Sequence, residues 1–331
     1  MKLSMLSQVV LFCACLLHSN LLLAQTSELV ARAIKGDAAA QTELGFDYAI
    51  GVGVTQDFSE ALRWFQLATR QGYADAQYNY GNMFANGFGV AQNYAEAMNW
   101  YRLAAAQNHM RAQFNLGFMY DNGQSVNQDY KEAAKWYQLA AQQGHSAAQN
   151  NLGVMYKYGY GVARDYAEAL KWLRLSAEGG YPIGQFNLGA MYTNGTGTER
   201  DFEEAAKWYQ AAADNGNVSA QFNLGDMYIA GNGITQNYAK AAELYLAAAK
   251  QGHSEAQYNI GEMFAAGYGV DQNLVQAYMW SDISAATASD FQRNRSARNR
   301  DSIGTRMSAE QIEEAKALSL RCQASSYKSC Q

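Results

Sequence analysis

The side chains that most often do chemistry are few in this chain, and their spacing argues against a catalytic centre. The 331 residues hold four histidines and four cysteines. His109, His145 and His253 each fall one residue after the start of a 36-residue sequence unit. Neighbouring helical units pack roughly 10 Å apart, whereas metal–nitrogen bonds are about 2 Å. One ion therefore cannot gather these histidines, and they are expected to be solvated turn residues. Gly87-Phe88-Gly89 has the glycine spacing of a phosphate loop, but no strand precedes it and the same pattern recurs in unit after unit. No serine stands with a histidine and an acid, and Glu203 and Glu204 belong to a solvated helix surface. The expectation is no catalytic residue, no cofactor, no metal, and no enzyme.

Recognition chemistry is more visible. Asn79, Asn115, Asn151, Asn187, Asn223 and Asn259 recur every 36 residues, with Glu43 in the first unit. An amide can pair with a peptide backbone whatever its sequence; it can equally tie neighbouring repeats together. Three residues beyond each asparagine the identity varies: Phe46, Asn82, Phe118, Val154, Ala190, Asp226, Glu262. Variation against a fixed frame suits a surface that selects a partner. The six asparagines and Phe118 are accordingly the candidate partner-binding residues. Tyr78 and Phe114 lie beside them, at a place where core packing is an equal explanation.

The elements that must position these residues follow from the repeat. Units begin at Gly36, Gly72, Asn108, Gly144, Gly180, Gly216 and Gly252, without insertions. Glutamine recurs five positions on, from Gln41 to Gln257, and glycine nine positions on, from Gly45 to Gly261. In the second unit Ala76, Tyr80 and Phe84 line one face of a helix expected over about 75–85. Gly81 interrupts that helix, where it costs about 1 kcal/mol relative to alanine; the expectation is that it makes room for Trp100. Gly87 and Gly89 end the helix. Asn93 caps a second helix, as do Asp57, Asp129, Asp165, Asp201, Asn237 and Asn273 in the other units. That helix presents Tyr94, Ala97, Trp100, Tyr101 and Ala104 on one side. One hairpin cannot bury both stripes, but stacked hairpins can.

The stretch Ala112-Gln113-Phe114-Asn115-Leu116-Gly117-Phe118-Met119-Tyr120 and the later Asp-Tyr-x-x-Ala-x-x-Trp-Tyr pattern resemble the Sel-one-like repeat, a relative of the tetratricopeptide repeat. The resemblance covers all seven units. It implies an all-α fold: a right-handed α/α solenoid of seven helix-turn-helix repeats with helical caps, serving as a protein-interaction scaffold. Some secreted members carry a disulfide in each repeat, which this chain lacks.

The expected organisation is a signal peptide over 1–24, an N-terminal helical cap over 25–35, repeats over 36–287, and a C-terminal cap and tail over 288–331. Lys2 and the apolar run Val9–Leu17 form the signal, with cleavage before Gln25. The run is too short to span a bilayer, which takes roughly 20 apolar residues, so no integral membrane span is expected in the mature chain. Cleavage removes Cys13, Cys15, His18 and Lys2 and moves the net charge from −5 to −6. Cys322 and Cys330 remain as a candidate disulfide in an oxidising compartment. The negative balance excludes nucleic acid as the main partner. One basic cluster, Arg293, Arg295, Arg298, Arg300 and Arg306, is read as a solvated cap helix. The expected function is an exported scaffold, periplasmic or secreted, that binds a protein or extended peptide in a concave groove. The alternatives are a cell-wall hydrolase and a glycan- or peptidoglycan-binding module.

Overall fold

The computed structural model describes residues 27–330. The signal-peptide reading, with Cys13, Cys15, His18 and the cleavage point at Gln25, lies outside the described residues. Among these residues every regular element is a helix. They form two compact units, one of residues 27–148 with Tyr160–Ala163 and one of Gln149–Gly159 with Arg164–Cys330.

The first unit contains α1 (27–34), α2 (Ala38–Ile50), α3 (Phe58–Thr69), α4 (Ala74–Asn86), α5 (Tyr94–Ala106), α6 (Met110–Asn122) and α7 (Tyr130–Gln142). Helix α8 (Ser146–Tyr158) starts there and runs on into the second unit. The second unit continues with α9 (Tyr166–Glu178), α10 (Pro182–Asn194), α11 (Phe202–Asp214), α12 (Val218–Ala230), α13 (Tyr238–Ala249), α14 (Ser254–Ala266) and α15 (Leu274–Thr287). Two further helices, α16 (Asp290–Gly304) and α17 (Ala309–Ala324), pack on α15. Within each unit a helix packs on the next along the chain, so burial is between neighbours.

Local chemistry explains each boundary. All seven Asp or Asn caps accept hydrogen bonds from backbone N–H groups of the helix they start, as at Asn93, whose Oδ1 takes the Glu96 N–H at 3.0 Å. The cap's own N–H returns to a carbonyl near the end of the preceding helix, Asn93 to Phe84 and Asp129 to Tyr120, each at 2.9 Å. First helices end on left-handed glycines such as Gly87, φ 70°. The residue that opens each unit is also left-handed, including Asn108 at φ 62°; a Cβ on the corresponding glycines Gly72 and Gly144 would touch nothing, so backbone conformation and not space selects glycine there. At α17, Ser308 and Gln311 complete a reciprocal capping box.

The mid-helix glycines answer to space, and the partner differs from the sequence expectation. A Cβ on Gly81 would lie 2.8 Å from the Tyr101 ring, one on Gly117 2.6 Å from Tyr137, and one on Gly225 2.7 Å from Tyr245. The residue served is therefore the one after the tryptophan, or after Leu244 where that replaces it. Trp100 instead turns its ring edge-on to Tyr80 at 5.0 Å and donates its indole N–H to Glu96 at 2.9 Å.

The recurrent glutamine is a buried staple between repeats. The side-chain amide of Gln113 donates to the Ala105 carbonyl of the preceding second helix at 3.4 Å, and its oxygen accepts from Gln143 at 2.7 Å. Gln41, Gln185, Gln221 and Gln257 donate in the same way to Ala33, Ala177, Ala213 and Ala249. At the C-terminus Cys322 and Cys330 form a disulfide with Cα atoms 4.5 Å apart, and both residues belong to the buried cluster around Met279 and Trp280. Closing so short a loop stabilises the tail by about 2–3 kcal/mol in the loop-entropy account.

Candidate functional site

The first helices of the hairpins carry the candidate residues on one face, because positions four and three apart lie one above the other. Asn79 and Asn115 stand on α4 and α6 of the first unit; Asn151, Asn187, Asn223 and Asn259 stand on α8, α10, α12 and α14 of the second. All six are half-buried.

Several of these asparagines are engaged within the protein. The Tyr101 hydroxyl donates to Asn82 Oδ1 at 2.7 Å, and the Asn115 side chain of the next repeat faces that same phenol. In the second unit the Tyr245 hydroxyl donates to Asp226, and Asn259 of the next repeat meets the same phenol. Asn187 donates to Asn150 at 2.7 Å, and Asn150 donates to Asn151 at 3.0 Å. Asn187 thus bonds to the repeat before its own, and Asn115 and Asn259 face a phenol of the repeat before theirs, as struts would. An amide used once still keeps further donor and acceptor positions.

The varied position is the freer one. Phe46 is 48% exposed and Phe118 46% exposed. Asp226 and Glu262 are exposed, whereas Asn82, Val154 and Ala190 are half-buried. Tyr78 and Phe114 lie deeper, tilted against Tyr101 and Tyr137 with centroids 5.9 and 5.8 Å apart.

The histidines are not the solvated turn residues expected. Each is half-buried, with Nδ1 accepting the N–H of Ala112, Ala148 or Ala256. Each ring stacks on an aromatic of the repeat before: His109 on Tyr78, His145 on Phe114, His253 on Phe222, at 4.5–4.6 Å. These contacts protect the neutral ring, and burial lowers all three pKa values below the ordinary 6.5. The unfolded chain then takes up protons first as pH falls. The stabilisation is complete above about pH 6.5 and is lost as pH drops through the folded-state values. Burial raises the half-buried carboxyls of Asp47 and Asp121, which act in the opposite sense in the more acidic carboxylate range. We expect the melting temperature to fall between pH 7.5 and 5. Changing all three histidines to asparagine, which already caps this position at Asn217, should flatten that fall. An unchanged slope in the triple variant would place the pH dependence elsewhere.

The basic cluster is largely committed within the protein. Arg300 pairs with Asp282 at 3.0 Å and Asp301 at 2.8 Å, Arg293 with Asp290 at 3.2 Å, and Arg295 lies over the Tyr258 ring at 4.0 Å. Among the described residues no three His, Cys, Asp or Glu side chains are grouped to hold a metal, and no helix is long and apolar enough to cross a membrane. Sequence reasoning missed a cleft of about 550 Å³ in the first unit, lined by Glu43, Phe46, Tyr73, Asp75, Asn79 and Arg111 among others. Asp75 and Arg111, which hold the same position in successive repeats with opposite charge, were the available signal.

The Sel1 repeat pattern matches seven consecutive segments, 38–73, 74–109, 111–145, 146–181, 182–217, 218–253 and 254–286. The chain belongs to the Sel1 repeat family. Its fold is all-α, seven helix-turn-helix repeats with further helices at both ends of the described chain. It is similar to a Sel1 repeat protein from Oxalobacter formigenes, with 35% identity over 64% of this chain and 84% of that one, TM-score 0.59. It is also similar to c5321, a protective antigen of uropathogenic Escherichia coli strains displaying an SLR fold, with 26% identity over 92% of this chain and 89% of that one, TM-score 0.53. No curated protein matches the chain. Sel1 repeat proteins are generally protein–protein interaction scaffolds, and the family is typically non-enzymatic.

Proposed function

We propose that this Sel1 repeat protein is an exported scaffold, periplasmic or secreted, that holds a protein or an extended peptide along the surface of its first helices. The observation that carries the reading is the contrast on α6. Phe118 is 46% exposed on the same helix as Asn115, which is half-buried against the Tyr101 phenol. A large aromatic exposed on a rigid helix is the kind of anchor that dominates binding energy. Export is supported by the basic and apolar character of residues 1–24 and by a disulfide, a bond that persists in oxidising compartments. N-terminal sequencing of exported material is expected to begin at or near Gln25.

The test of binding is capture of partners by the mature protein, identification by mass spectrometry, and comparison of variants. Phe118→Ala is expected to weaken the captured partner about five- to thirtyfold, as loss of a hot-spot aromatic does, with an unchanged melting temperature. Asn115→Ala with Asn151→Ala is expected to weaken binding and also to melt earlier, since Asn115 faces the buried Tyr101 phenol and Asn151 accepts from Asn150. A partner held equally well by all these variants would remove the first-helix surface from consideration.

A further inference from the structure

The cleft between α2, α4 and α6 holds charges that the protein does not neutralise. Asp75 Oδ1 lies 3.1 Å from His109 Nε2, and the carboxylate is beside the Tyr73 phenol. The His109 Nδ1 is an acceptor for Ala112 N–H, so the ring is neutral and donates through Nε2. Both partners of Asp75 are therefore uncharged, and its negative charge stands. Glu43 is exposed one helix away, with no ion pair among the described residues. Arg111 is exposed at the start of α6, also without a carboxylate in ion-pair range. Elsewhere in the unit Arg32, Arg63 and Lys135 each have such a carboxylate at 2.8 Å. The same cleft is lined by the Phe46 side chain, which is 48% exposed.

We propose that this cleft binds an extended peptide segment with a basic side chain toward Glu43 and Asp75, an acidic side chain on Arg111, and an apolar side chain against Phe46. The proposal rests on the scaffold reading and names the chemistry of its ligand. Charge complementarity selects the occupant: an all-acidic segment meets two carboxylates, and an all-basic one meets the guanidinium. Adjacent helices are spaced by roughly 10 Å and an extended chain rises about 3.3 Å per residue, so the two ligand charges should lie about three to six residues apart.

The test uses capped hexapeptides of sequence lysine-glycine-leucine-tyrosine-glycine-glutamate, with two controls in which both ends are lysine or both are glutamate. Titration calorimetry with the mature protein at low salt should show the mixed peptide binding about two- to fivefold tighter than either control, the range expected for one added exposed ion pair. Arg111→Gln should weaken the mixed peptide by about the same factor yet leave a peptide with glutamine in place of its glutamate unaffected. Glu43→Gln should do the reverse, sparing a peptide whose lysine is replaced by glutamine. Phe46→Ala should weaken all of them, with the melting temperature unchanged. Equal affinity for the three peptides, uniform weakening by Arg111→Gln, or no binding would overturn the proposal. If the peptides fail while a captured partner is still lost on Phe118→Ala, only the ligand chemistry is wrong. If that partner ignores every variant of this surface, the scaffold reading falls as well.

Discussion

Tyr137→Ala is expected to destabilise the protein by about 3–5 kcal/mol, the usual cost of deleting a core aromatic. Tyr137 is fully buried at 0% exposure, its ring fills the gap left by Gly117, and it tilts against Phe114. Its hydroxyl donates to Asp121 at 3.2 Å. Asp121 is a half-buried carboxyl whose pKa burial already raises, so losing that donor leaves it worse solvated. Tyr137→Phe keeps the packing and should cost only about 0.5–1.5 kcal/mol, one neutral hydrogen bond. Trp136, which the sequence makes more conspicuous, is half-buried, and its truncation should cost less. Contacts join neighbouring hairpins, so hydrogen exchange should show protection lost first in α6 and α7 and in α5, which packs on α6. A cost below that of Tyr137→Phe, or an even loss along the chain, would show that the third repeat is not held by this ring.

Gly117→Val should be the next most damaging change, by about 1–3 kcal/mol or somewhat more. Its Cβ would stand 2.6 Å from the ring of Tyr137, which is fully buried. Gly117→Ala decides between space and conformation. In an unobstructed helix that change stabilises by about 1 kcal/mol; here it should destabilise. In a Tyr137→Ala background the obstruction is gone, and the same change should become neutral or favourable. Denaturant unfolding of the four proteins should give a coupling of at least about 1 kcal/mol, within the range for residues in contact. Additive effects would mean the glycine is there for another reason.

Much of this protein is readable without its structure. The 36-residue period, the all-helical class, the Asp and Asn caps at 57, 93, 129, 165, 201, 237 and 273, and the left-handed glycines all come from interactions within a few residues. A cap side chain reaches its own helix's N–H groups, and a glycine answers to its own φ. The capping box at Ser308 and Gln311 is local in the same way. The recurrent glutamine was equally visible, but nothing in a linear pattern says which carbonyl, on which helix, it will find.

What the sequence left open depends on how one helix is rotated against the next. Trp100 and Tyr101 are adjacent and both apolar, yet one residue turns a helix by about 100°, and only packing puts the tyrosine over Gly81. The asparagines share a face by periodicity; whether an amide points to a ligand or to the phenol of the repeat before is fixed by the distance between stacked helices. His109, His145 and His253 look like turn residues because that is where they lie in the chain. Their burial comes from the aromatic ring of the previous repeat, 31 residues earlier in each case, as Tyr78 precedes His109. The cleft of Glu43, Asp75 and Arg111 exists for the same reason: three charges unremarkable in their own helices become one surface when stacking brings those helices side by side.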